Sequence, residues 1–141
     1  MPRKTAETRL KAVRPRPGLC VEVTWSNDFT DIVDLTEPMS HPVFSPFREA
    51  RAFETVHLDD MCYEIRWSDE AAIPIHQLRA LIAAQSSAQF KAWLERTGLT
   101  YDRASVALGL SRRTVANYAN GERVPRHVVL ACAAIEAGIA A

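Results

Sequence analysis

Glycine is scarce in this chain: five residues in 141, at positions 18, 98, 109, 121 and 138. That spacing leaves no glycine-rich phosphate loop, and each glycine falls where a turn or helix end is expected, so a nucleotide-using enzyme is disfavoured. Cysteine is scarcer still. Cys20, Cys62 and Cys132 are odd in number and far apart in apolar stretches, which suits reduced thiols and not a disulfide framework. No apolar run approaches the roughly 20 residues that span a bilayer, and the Arg- and Pro-rich N-terminus lacks the apolar centre of a secretion signal. A cytoplasmic protein with no membrane partner is expected.

The four histidines, His41, His57, His76 and His127, make no metal-ligand spacing with any cysteine, and no Ser, His and acid set is suggested. Asp31, Asp34, Asp59 and Asp60 read as solvated carboxylates of turns and strand edges. No catalytic residue, cofactor or metal is therefore assigned. An enzyme would need Asp31, Asp34, His57 or Asp60 gathered in a polar cleft.

Net charge is also absent, with 17 basic and 17 acidic side chains, but the sum hides segregation. Residues 1–16 carry six Lys or Arg against one Glu, residues 17–85 four against twelve acids, and residues 86–141 seven against four. A polyanion responds to a local basic face and not to the total, so the whole-chain charge excludes nothing.

The organisation predicted is α+β followed by all-α. Residues 1–18 read as a flexible basic arm, because Pro15 and Pro17 break regular structure. Residues 19–85 read as a small antiparallel-sheet domain with short helices. Leu19, Val21, Val23 and Trp25 alternate with polar neighbours as a half-buried strand, and Phe29–Leu35 returns beside it after Ser26-Asn27-Asp28. A loop through Pro38 and Pro42 leads to a short helix that Ser45 and Pro46 start and that runs through Phe47 to Ala52. A second hairpin pairs Phe53–Leu58 with Met61–Trp67, where His57 lines the sheet, and Pro74 opens a helix that ends before Ser86-Ser87, taken as the boundary. Residues 86–141 are predicted to hold helices near 88–97, 101–108, 112–119 and 126–138, with a short turn near 122–125. The last helix is apolar almost all round, which predicts core packing and a dimer contact.

Residues 99–125, LTYDRASVALGLSRRTVANYANGERVP, carry the most specific pattern. Small Ser105 is placed where two helices would cross, Gly109 can end the first helix in the left-handed conformation, and the Ser111 hydroxyl can cap the second. Leu108, Leu110 and Val115 close the elbow, which leaves Arg112, Arg113, Thr114 and Asn117 outward, as in a helix-turn-helix. On DNA, Arg112 and Arg113 match guanine O6 and N7, and Asn117 matches adenine N6 and N7. Thr100 and Tyr101 at the head of the first helix, and Arg123 and Arg126 beyond the second, would contact the phosphate backbone, and Ser111 is counted among the DNA-binding residues. Tyr118 is divided between this surface and the core.

Through WLERTGLT, LGLSRRTVANY and NGERVP, residues 88–137 resemble the Cro and phage-repressor (XRE-like) helix-turn-helix family. The resemblance implies a lambda-repressor-like DNA-binding domain. Many members pair an Arg with a Glu where this chain has Leu94 and Ala119, and losing both charges together is compatible with the fold. Through IVDLTEP, AFETVHLDD and YEIRWSDEAAIPIHQL, the first half resembles a small prokaryotic α+β family of unknown function, in which an Asp-Gly turn often stands where Asn27-Asp28 does here.

The expected function is a sequence-specific binder of double-stranded DNA, a homodimeric transcription regulator whose acidic domain oligomerises, senses or takes a protein partner. The alternative from another class is an antitoxin-like adaptor that regulates its own synthesis through the helix-turn-helix.

Overall fold

The computed structural model describes residues 9–139, and the structure mixes strands and helices. It divides into two compact units, one ending at Leu81 and one beginning at Ile82.

In the first unit, β1 (Leu10–Arg16), β2 (Cys20–Trp25) and β3 (Thr30–Asp34) form an antiparallel sheet in that order. The alternation in β2 is used as expected: Val21, Val23 and Trp25 are buried, and across the register Val21 meets Val33. Asp28 takes φ 72°, so an Asp accepts the left-handed position that an Asp-Gly turn would give to glycine. A second antiparallel sheet joins β4 (His57–Leu58), β5 (Glu64–Arg66) and β6 (Ala72–Pro74). Between the sheets run 3-10 turns at Pro38–Ser40 and Pro42–Phe47 and the short helix α1 (Ala50–Phe53). Phe44 and Phe53 each lie 5.6 Å from the Trp67 ring, and Trp67 Nε1 donates to the Phe53 carbonyl.

Four expectations for this unit need correction. The flexible arm is a strand from residue 10 onward, while residues 1–8 lie outside the described residues. Pro15 is paired with Val21 in β1, the terminal strand of its sheet, where one missing N–H costs no ladder bond. The second hairpin is short. Asp59 accepts backbone N–H groups from Met61, Tyr63 and Glu64, which curls 59–63 into a turn and leaves Met61 and Tyr63 exposed. His57 is on β4 but exposed, and Asp31, expected in water, is buried and accepts from Trp25 Nε1 at 2.8 Å.

Against the cost of partial desolvation, those backbone donors hold the Asp59 carboxyl below its usual range. A depressed folded value means that the stabilisation is complete above the unfolded value near 3.9 and lost as pH falls through the folded one. Asp59→Ala is expected to cost about 1–3 kcal/mol at neutral pH, read by denaturant unfolding, with the difference from the parent closing in acid.

A further correction concerns the boundary. α2 runs unbroken from Ile75 to Thr97, through Ser86 and Ser87. Ser87 Oγ donates to the Tyr118 carbonyl at 2.7 Å, and Ser86 Oγ donates to Ala83 and accepts Val124 N–H at 2.9 Å. Hydroxyls read as caps instead bond Ala83 within the helix and the distant Tyr118 and Val124, so nothing ends the helix there.

The second unit continues with α3 (Tyr101–Leu108), α4 (Arg112–Ala119) and α5 (Arg126–Ile139), near the predicted bounds. The turn expected near 122–125 lies at 120–121. Phe90, Trp93, Leu94, Ala104, Val115, Tyr118, Ala119, Val128 and Cys132 make one core. Leu94 and Ala119 both lie inside it, where a lone charge would be stranded.

Candidate nucleic-acid interface

The surface is built by two helices and a tight turn. Thr100 Oγ1 accepts Arg103 N–H at 3.1 Å to start α3, and Ser111 Oγ accepts Thr114 N–H at 3.0 Å to start α4. Between them Gly109 ends α3 at φ 70° and ψ 32°, with its N–H turned to the carbonyls of Ser105 and Val106. Nothing lies within 4 Å of a Cβ placed there, so only the backbone conformation resists a side chain. Gly109→Ala is expected to cost about 1–2 kcal/mol in thermal unfolding, without a change of fold.

The small residue at the crossing is Ala104, fully buried, and not Ser105, whose hydroxyl donates to Asp102 O. Sequence reading chose the wrong neighbour because both are small. Val115, Tyr118 and Ala119 turn inward from α4. Tyr118 belongs to the core: its ring meets Phe90 edge-on at 5.6 Å. Burial, then Glu122, pushes its phenol up against the opposing charge of Arg123.

Opposite that buried stripe, Arg113 and Asn117 stand one turn apart and exposed. Arg113 meets no carboxylate among the described residues. Arg112 is occupied. Its Nε holds Asp102 Oδ1 at 2.8 Å and its guanidinium lies 5.6 Å from the Tyr101 ring centroid. Both charges of that pair are more than half exposed, so it contributes under about 1 kcal/mol and can open.

Asp102 also puts a negative charge in the first turn of α3, which opposes a phosphate at Thr100 and Tyr101. Ser111 and Thr114 hydroxyls bond each other at 2.9 Å. Arg123 is half-buried, and Arg126 begins α5 exposed. The geometry thus brings Arg113 and Asn117 together as open donors and ties Arg112, Ser111, Thr114 and Thr100 to local duties. Ser86 and Ser87, which hold the end of α4 and the segment after it, carried no sequence signal beyond their apparent capping role.

Of the carboxylates weighed for chemistry in the first unit, Asp31, Asp34 and Asp59 are engaged locally, and Asp60 is exposed. Asp31 holds Trp25, and a hydrogen bond from Thr36 keeps the Asp34 carboxyl below its usual range. Among the described residues, no helix is long and apolar enough to cross a membrane.

No protein-family model and no curated protein matches the chain. A crystal structure is similar to it over nearly its whole length: that of a protein of Nitrosomonas europaea provisionally named a DNA-binding protein. The two share 29% identity over 92% of this chain and 86% of the other, with a TM-score of 0.51.

Proposed function

We propose that this chain binds double-stranded DNA sequence-specifically as a transcription regulator, with α3 and α4 as a helix-turn-helix and α4 seated in the major groove. The observation that carries the reading is the open Arg113 and Asn117 pair on one face of a capped helix whose other face is core. An Arg fork and an Asn amide are the two side chains that match guanine and adenine edges in two bonds each. The likeness to the Nitrosomonas europaea protein supports DNA as the ligand. Arg126 and Arg123 serve the flanking phosphates, where they position and do not specify.

Selection of bound fragments from a random DNA pool tests this. A recurrent short motif containing G and A, bound with strong salt dependence, is expected; recovery of unselected sequence overturns sequence-specific binding.

The exposed face of α5 supports a homodimer. Leu130 is 56% exposed and shares a face with exposed Ala134, apolar surface that a second copy would cover. Two-fold pairing would set two α4 helices about 34 Å apart on a pseudo-palindromic site. Leu130→Glu is expected to give a monomer in light scattering; a parent chain that is monomeric on its selected DNA removes the dimer.

A further inference from the structure

Two adjacent arginines open the α4 surface, and only one of them has an acidic partner within the chain. Arg112 is the first residue of α4, directly after the Ser111 cap, and Asp102 is the second residue of α3. They meet across the turn, with Arg112 Nε 2.8 Å from Asp102 Oδ1. The guanidinium also stands over the Tyr101 ring, so consecutive residues of the neighbouring helix hold Arg112 from two sides. Arg113, one position on, meets no carboxylate among the described residues.

A carboxylate in the first turn of α3 is favoured by the positive end of that helix. The same place is unfavourable for a polyanion, because the negative charge repels phosphate and occupies a cation that phosphate or a base edge would use. Both side chains of the pair are more than half exposed, so solvent screens their attraction and the contact opens at small cost. A duplex can therefore displace Asp102, but it gains less from Arg112 than from an arginine with no partner.

We propose that Asp102 is an intramolecular competitor of DNA for Arg112, a residue that holds affinity below what the basic face of α4 would otherwise reach. The inference rests on the reading of α3 and α4 as a DNA-binding unit. Removing the carboxylate strengthens binding, and it does so through Arg112.

The test is a double-mutant cycle in the full chain, made from Asp102→Asn, Arg112→Ala and the two together. Binding to the duplex selected from the random pool is read by fluorescence anisotropy over a range of salt. Asp102→Asn is expected to tighten binding about fivefold in the parent, the upper range for an exposed ion pair, and to steepen the salt slope by about one. In the Arg112→Ala chain the gain should fall to about twofold, the screened repulsion of phosphate that remains. Thermal midpoints should stay close to the parent, since both side chains are exposed.

Without DNA, the Arg112 Nε–H signal of the ¹⁵N-labelled chain, identified by its loss in Arg112→Ala, is expected to shift in Asp102→Asn. An unmoved signal overturns the competition whether or not the chain binds DNA. Weaker or unchanged binding by Asp102→Asn overturns it too, and so does an equal gain with and without Arg112; in each case DNA binding by the parent leaves the reading of α3 and α4 standing. A parent chain that binds no duplex overturns that reading and this inference with it.

Discussion

Arg113→Ala is expected to weaken binding to the selected DNA site by about 5- to 150-fold, equivalent to about 1–3 kcal/mol, while unfolding stability stays within about 0.5 kcal/mol of the parent. The side chain is exposed and meets no carboxylate among the described residues, so its removal leaves no internal group stranded. The loss should fall on the selected sequence and relax the preference at one base pair. Arg126→Ala, by contrast, should weaken every sequence alike and lower the salt slope by about one. Arg112→Ala is expected to cost less than Arg113→Ala, because Arg112 must first leave Asp102 and Tyr101. Fluorescence anisotropy on selected and scrambled duplexes distinguishes these outcomes. Equal losses on both duplexes for Arg113→Ala would remove it from base reading.

Phe90→Ala is expected to destabilise the second unit by about 3–5 kcal/mol, a large share of the 5–15 kcal/mol typical of a domain. Phe90 is 3% exposed and packs against two aromatic neighbours, Trp93 at 5.6 Å and, edge-on, Tyr118 at 5.6 Å. Truncation removes the transfer free energy of the ring and opens a cavity between α2 and α4 that backbone hydrogen bonds resist closing. DNA binding should fall with the folded fraction and recover at lower temperature. Calorimetry of the variant should show the loss in one transition, with the sheets of residues 10–74 retaining their near-ultraviolet signal from Trp25 and Trp67. A variant that melts with the parent would mean that this core is not what holds α4.

The second unit was more legible in the sequence than the first. Thr100, Gly109 and Ser111 act within three or four residues of themselves, through hydrogen bonds to Arg103, Ser105, Val106 and Thr114. Such signals survive without tertiary knowledge, so the bounds of α3 and α4 were readable. In the first unit the strand alternation of β2 was readable for the same reason. β6 was not. Its three residues, Ala72–Pro74, become a strand only by pairing with β5, and Pro74 alone resembles a helix start. Pro15 misled in the opposite direction, because a proline that ends a helix is tolerated on a terminal strand.

At the candidate interface, the sequence placed Arg113 and Asn117 on one outward face, and the structure keeps both there. It put Arg112 on the same reading face. Asp102, ten residues earlier on another helix, decided otherwise by meeting Arg112 across the turn.

By itself, then, the sequence determined the capped helices, the glycine turn between them, the alternation of β2 and the segregation of charge, all of which depend on neighbours a few residues apart. Only the tertiary structure decided that α2 passes through Ser86 and Ser87, that Asp31 is buried on Trp25, and that Arg112 is occupied while Arg113 is open. Each of these turns on a hydrogen bond or ion pair with a partner from another element, such as the Ser87 hydroxyl on the Tyr118 carbonyl. A donor's local sequence fixes what it can bond, and packing fixes which acceptor it reaches.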